Sequence, residues 1–219
     1  MEKTKLVIFD MDGTLYDMED MAENNYEISI SYLQDRFHYS PEEAVALLEE
    51  NRIYPYAFSG SGSSTQLFVQ MGADLRQWNE YRSPRFYYRR IRKENAADNG
   101  ILLFFKKIAP IVLLTNNTTG NTMNVLDQIG LDVSLFDKVQ CNDSPRSTVS
   151  KTSAMKALID EFHVQPGEAL SVGDRYSIDA EPMLKLGGKA IIVKKPSSFR
   201  KIIDEYPDLK SCEEYSCYF

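Results

Sequence analysis

Short apolar runs of strand length recur along this chain, and much of what lies between them has helical spacing. Lys5-Leu-Val-Ile-Phe-Asp10 is the first. Others stand at Ile111–Leu114, around Lys138–Cys141, at Ala169–Val172 and at Ala190–Val193. The first is apolar between its ends rather than at alternate positions, so it reads as a buried strand. Thr119–Ile129 is helical and stops at Gly130, a helix C-terminal glycine. Ser153–Phe162 puts Ala154, Ala157, Leu158 and Ile159 on one helical face, and Ile178–Leu186 stops at Gly187-Gly188. Strands alternating with helices of this length fold as an α/β, Rossmann-like parallel sheet core with helices on both faces.

From about Asp17 to Lys93 this rhythm breaks, and no buried strand stands out. Ser40-Pro41-Glu42-Glu43 is a helix start, with serine as N-cap, proline in the first turn and glutamate three residues after the cap. The helix it opens, Glu42–Glu50, carries Ala44, Val45, Leu47 and Leu48. Further helices are expected near Met18–Phe37, Ser64–Met71 and Ser83–Lys93, and Ser59–Ser64 is the most loop-like run. The expected organisation is a core of residues 1–16 and 94–219 with a helical insert of residues 17–93.

The formal net charge of −7 argues against general nucleic-acid binding. It does not exclude an anionic substrate, because a local metal ion can reverse the field in one pocket. No run approaches the ~18–20 apolar residues of a membrane helix, and the N-terminus has no signal-peptide pattern. Cys141, Cys212 and Cys217 follow no metal-ligand spacing and read as free thiols of a reducing, cytoplasmic compartment. With only His38 and His163, both in ordinary helical surroundings, a histidine triad or zinc centre has little to draw on.

The chemistry concentrates at strand ends. Asp10-Met-Asp12-Gly13-Thr14 follows the first strand, and in a parallel sheet ligands bind outside the carboxyl ends of the strands. Two carboxylates two residues apart can both reach that crevice if the chain curls, which Gly13 permits. Crowded carboxylates are costly without a cation, and magnesium suits hard oxygen ligands. Thr115-Asn116 closes the second apolar run with a hydroxyl and an amide that can bind a phosphoryl group, cap a helix, or both. Lys151 opens the next helix, where a lysine and backbone amides make an anion site; Lys156 is its rival. Gly173-Asp174 then follows Ala169–Val172. Asp179 stands early in the next helix, placed to ligate directly or through water.

These elements, in this order, resemble the haloacid dehalogenase superfamily of hydrolases. They are Asp10-Met-Asp-Gly-Thr-Leu-Tyr16, Leu-Leu-Thr115-Asn, Lys151 and Gly173-Asp174-x4-Asp179. The fourth continues through Leu186-Gly187 to Ile191-Ile-Val193 in the family's manner. The resemblance covers residues 5–16 and 95–195, and the insert lies where the family places its helical cap domain. One departure stands at Lys151-Thr152-Ser153, where the family often has proline after the lysine; Ser150 or Thr152 could cap that helix instead.

The resemblance implies roles. Asp10 is the nucleophile on phosphorus, and Asp12 first protonates the leaving group and then activates water. Asp10, the carbonyl of Asp12 and Asp174 hold Mg2+. Thr115, Asn116 and Lys151 bind the phosphoryl oxygens, with Gly13, Thr14, Gly173 and Asp179 in support. An acid at Asp12 favours phosphoester chemistry over dehalogenation, because halide leaves unprotonated. The expected activity is that of a phosphatase on a small monoester, such as a nucleoside monophosphate, a sugar phosphate or phosphoglycolate. The alternatives are a β-phosphoglucomutase-like mutase and a non-catalytic binding module. The opening motif and the insert also resemble the branch containing pyrimidine nucleotidases and phosphoglycolate phosphatases. Arg52, Tyr54 and Tyr56 could contact a leaving group or simply pack a helix end. The basic, aromatic run Ser83–Lys93 reads as a solvated helix face.

Overall fold

The computed structural model describes residues 3–56, 62–85, 91–143, 150–205 and 217–218. Its strands are β1 (Leu6–Phe9), β2 (Ile111–Leu114), β3 (Lys138–Gln140), β4 (Ala169–Gly173), β5 (Lys189–Ile192) and β6 (Cys217–Tyr218). They form one parallel sheet in the order β3-β2-β1-β4-β5-β6. β1 is central, and Phe9 at its end pairs with Leu113 on one side and Val172 on the other. The chain therefore leaves three adjacent strands at one edge. Asp10, Thr115 and Asp174 emerge there, beside the point where the strand order changes direction.

Two compact units divide the chain. One takes in Met1–Asp17, Ile91–Asp143 and Thr148–Phe219, the other Met18–Arg90 and Ser144–Ser147. The second is helical, with α1 (Ala22–Phe37), α2 (Pro41–Glu50), α3 (Ser64–Gln70) and α4 (Leu75–Arg82). The Ser40 capping box forms, with the serine hydroxyl accepting from Glu43 N and the Glu43 carboxylate accepting from Ser40 N. Asp74 caps α4 through Arg76 N and Gln77 N. His38 ends α1 in the left-handed region, at φ 61°.

The core of this unit is aromatic. Trp78 has no exposed surface and lies 4.7 Å from the Phe68 ring centre and 4.8 Å from that of Tyr32. Its indole N–H donates to Thr65 Oγ1 at 2.9 Å. Trp78→Ala is expected to cost about 3–5 kcal/mol, because it removes this burial and leaves a cavity. Urea unfolding followed by circular dichroism checks it, since the chain has no other tryptophan. A loss under about 1 kcal/mol would show that the site collapses freely.

In the sheet unit lie α5 (Asn99–Lys106), α6 (Thr119–Ile129), α7 (Lys151–Glu161), α8 (Glu181–Lys185) and α9 (Ser198–Glu205). Alternation along β1 divides the core. Leu6 and Ile8 pack with Ala154, Met155, Leu158 and Ile159 of α7. Phe9 meets Phe105 of α5 edge-on at 5.0 Å and Phe199 of α9 at 6.1 Å. Helices therefore cover both faces, and Ala157, expected on the buried side of α7, is exposed where Met155 is buried.

Other expectations need correction. Ser150 holds the N-cap position of α7 but makes no side-chain capping bond. The helix expected over Ser83–Lys93 is a short 3-10 turn at Ser83–Arg85 and another at Lys93–Asn95, and residues 86–90 lie outside the described set. The helix of that region is α4, eight residues earlier. Residues 59–61 of the serine–glycine loop and Cys212 also lie outside the described residues. No helix among the described residues is long and apolar enough to cross a membrane.

Candidate active site

Asp10 stands one residue past β1, and its amide continues the ladder by donating to Val172 O at 2.8 Å. The chain then curls back: Thr14 N and Leu15 N both donate to Met11 O, at 3.2 and 2.9 Å. Gly13 makes the curl at φ 80°, and a Cβ there would lie 2.5 Å from Asp174 Oδ2. Glycine thus supplies both the backbone angle and the room for Asp174. Gly173 supplies room alone, since a Cβ on it would fall 2.3 Å from the Asp179 side chain. A π-helical turn, Tyr176–Ala180, follows β4 and brings Asp179 back over the strand ends.

Lys151, the first residue of α7, ties these parts together. It is buried, and its ammonium donates to Asp10 Oδ1 and, at 2.6 Å, to Asp179 Oδ1. Asp179 Oδ2 accepts from the Arg175 amide at 2.9 Å, so both of its oxygens are engaged. Thr14 Oγ1 lies 3.4 Å from Asp10 Oδ2. Lys156 is exposed on the same helix and takes no part in this group.

Carboxylate oxygens of Asp10, Asp174 and Asp179 lie within 4.8 Å of one another. Burial pushes the Asp10 carboxyl up to about 7 against the pull of Lys151, with Asp179 and Asp12 adding to the rise. Burial likewise lifts Asp174 to about 6, against Arg175. Burial would lower the Lys151 ammonium, but Asp10 and Asp179 outweigh it and hold its pKa above the usual lysine value. Asp174 Oδ1 is buried without a hydrogen-bond partner, and the Arg175 guanidinium comes no nearer than 3.6 Å. An orphaned buried carboxylate oxygen beside two further carboxylates is a donor set for a hard divalent cation. The residues present fit magnesium. Asp179, expected to ligate directly or through water or to act in support, belongs to the same acidic group.

Asp12 turns elsewhere. Its Oδ1 accepts from the Tyr16 hydroxyl at 2.5 Å and its Oδ2 from Asn117 Nδ2 at 2.6 Å. Thr115 is buried, with its hydroxyl accepting from Asn117 N at 3.1 Å. Asn116 exposes its side chain, whose Oδ1 lies 3.5 Å from Asn142 Nδ2. The structure therefore brings Asn117, not the Asn116 side chain, onto the first motif. Sequence reasoning passed over Asn117 and Tyr16. The doubled asparagine of Thr115-Asn-Asn117 was the available signal for the first, and nothing in the spacing marked the second.

In the helical unit, Arg52 takes a left-handed backbone at φ 59°, and the Tyr54 and Tyr56 rings stack at 5.4 Å with 13° between planes. Tyr56 is 74% exposed. Arg85 of the basic run lies over the Tyr81 ring at 3.8 Å and donates to Tyr81 O, while Arg92 and Lys93 are exposed. His163, like His38, takes a positive φ just past a helix.

A family model described as haloacid dehalogenase-like hydrolase matches residues 4–187. N-acylneuraminate-9-phosphatase of Rattus norvegicus is 23% identical over 209 residues, covering 88% of this chain and 83% of that one. A HAD phosphatase from Thermococcus onnurineus is similar in structure, with a TM-score of 0.59, 19% identity and coverage of 91% and 98%. A putative HAD-hydrolase from Bacillus subtilis, solved bound to magnesium, gives a TM-score of 0.57 at 12% identity, over 93% of this chain and 100% of its own.

Proposed function

The chain belongs to the haloacid dehalogenase-like hydrolases, and we propose that it is a magnesium-dependent phosphatase that hydrolyses a small phosphate monoester through an aspartyl-phosphate on Asp10. The observation that carries this reading is the buried group at the strand ends: Asp10 held by Lys151, beside the orphaned oxygen of Asp174.

Asp10 Oδ2, the oxygen not held by Lys151, attacks phosphorus, and the ester oxygen leaves on the opposite side. Asp12 gives that oxygen its proton, then takes one from the water that cleaves the aspartyl-phosphate. Lys151 fixes the nucleophile and offsets charge on the phosphoryl oxygens, with Thr115 and the backbone around Asn116 beside it. Asp10, the Asp12 carbonyl and Asp174 would hold the magnesium ion, and Asp179 acts through Lys151 and the Arg175 amide. When bound, the ion offsets the repulsion between the carboxylate and the phosphate dianion. The helical unit corresponds to the family's cap domain, the part that selects the substrate, and Arg52, Tyr54 and Tyr56 are its candidate specificity residues. Relatives named for N-acylneuraminate 9-phosphate favour a sugar-type phosphate among the possible esters.

Phosphate release tests the reading. The panel is N-acylneuraminate 9-phosphate, other sugar phosphates, nucleoside monophosphates, phosphoglycolate and an aryl phosphate, each with magnesium or with chelator. Release that chelator abolishes is expected. A folded protein that releases nothing from any of them overturns it. Magnesium itself should stabilise the protein, by about 2.7 kcal/mol at a hundred times its dissociation constant. Thermal melts should show that shift in the wild type and show it reduced in Asp174→Asn. Equal shifts in both proteins would remove Asp174 from the metal site.

A further inference from the structure

We propose that Tyr16 and Asn117 are positioning residues for proton transfer, holding the Asp12 carboxyl from both sides so that it faces the leaving oxygen. The proposal rests on the reading of Asp12 as general acid and base.

The contacts come from two separate stretches of backbone. Tyr16 is almost fully buried, and its stretch is fixed: Ala97 N donates to Leu15 O at 2.8 Å, Asp17 N donates to Asn95 O at 3.1 Å, and Tyr16 itself bridges to Ala96. Asn117 follows β2 and is tied at both ends of its peptide, its N–H donating to Thr115 Oγ1 and its carbonyl accepting from Asn142 N at 2.9 Å. Asp12 itself sits on the curl made by Gly13. Without its two donors, the carboxyl would be free to rotate about its side-chain bonds. A general acid must stand within hydrogen-bond reach of one particular oxygen, so rotation costs rate before it costs binding.

Each donor takes one oxygen of the carboxyl, the Tyr16 hydroxyl Oδ1 at 2.5 Å and the Asn117 amide Oδ2 at 2.6 Å. Every carboxyl oxygen has a second lone pair, so the proton passed to the leaving oxygen can come and go while both donors stay in place. The pair therefore keeps one carboxyl geometry through both half-reactions.

The experiment compares esters by leaving group, using kcat/KM, which reports the step in which the ester bond breaks. An alkyl phosphate needs the proton, and 4-nitrophenyl phosphate does not. Asp12→Ala is the reference and should lose about 10²–10⁴-fold on the alkyl ester, with a far smaller loss on the aryl ester. Tyr16→Phe and Asn117→Ala should show the same selectivity at lower amplitude. We expect about 10–100-fold on the alkyl ester and under about threefold on the aryl ester. A purely structural role would lower both esters alike. Uniform losses, or none, in Tyr16→Phe and Asn117→Ala while Asp12→Ala stays selective would overturn the positioning role alone. An unselective Asp12→Ala would instead overturn the acid assignment beneath it. Should Tyr16→Phe fail to fold, Asn117→Ala decides, because Asn117 is a half-buried loop side chain outside the hydrophobic clusters.

Discussion

Asp10→Asn yields a folded protein whose phosphate release falls by on the order of 10⁴-fold or more, the scale seen when an essential nucleophile is removed. Asparagine keeps the shape of the side chain and can still accept from Lys151, but its amide cannot form the acyl phosphate. The effect on stability should be small or favourable. Burial already pushes the Asp10 carboxyl up to about 7, so the native state holds its charge at a cost. Lys151 keeps Asp179 at 2.6 Å as a partner once Asp10 is neutral. Urea unfolding in chelator should therefore place the variant within about 1 kcal/mol of wild type, or above it. Loss of turnover with a preserved unfolding midpoint is the expected pair of results. Turnover near the wild-type rate would remove Asp10 from the chemistry. A collapse in stability would mean that its charge holds the fold together.

The parts of the fold that were legible are those where local signals agree. β1 and β2 are apolar throughout, β4 is broken only by Ser171, and all three lie buried in the sheet. The capping box at Ser40 and the left-handed Gly130 at φ 77° mark helix ends in the sequence itself. Where the signals conflict, the sequence marks no element. In α5, Asn99-Gly-Ile-Leu-Leu-Phe-Phe-Lys106 carries a glycine near its start and a continuous apolar run that mimics a strand. Burial of Ile101, Leu102 and Phe105 fixes it as a helix, and burial is a tertiary fact. α4 reads as polar at most positions, yet Asp74 caps it and Trp78 anchors it.

The same division holds at the site. Asp10, Lys151 and Asp174 sit at strand and helix ends, where the parallel topology alone makes them converge. The Tyr16–Asp12 and Asn117–Asp12 bonds depend on how two loops curl, and a strand-by-strand reading does not carry that. Asp179 joins the acidic group from the π-helical turn that follows β4.

Lys151→Met should be the most destabilising substitution at the site, by about 3–5 kcal/mol in the presence of chelator, and should also remove turnover. The lysine is buried between two carboxylates that are themselves 6% and 1% exposed, so solvent screens the pair little. Removing the ammonium leaves like charges with oxygens within 4.8 Å. At an effective dielectric of about 20, that spacing corresponds to a repulsion of about 3 kcal/mol, before any carboxyl takes up a proton to relieve it. The methionine preserves volume, so the loss reports charge rather than a cavity. Two further measurements separate this from a general packing defect. Adding Asp179→Asn to Lys151→Met should recover about 2 kcal/mol, because the added neutral side chain removes one of the two stranded charges. Magnesium should also narrow the gap between variant and wild type, since the cation supplies the positive charge that the lysine no longer does. Urea unfolding of the four proteins of this cycle, with and without the ion, gives both numbers. If Lys151→Met keeps wild-type stability in chelator, the carboxylates do not depend on the lysine, and the buried charge group loses its place at the centre of the site.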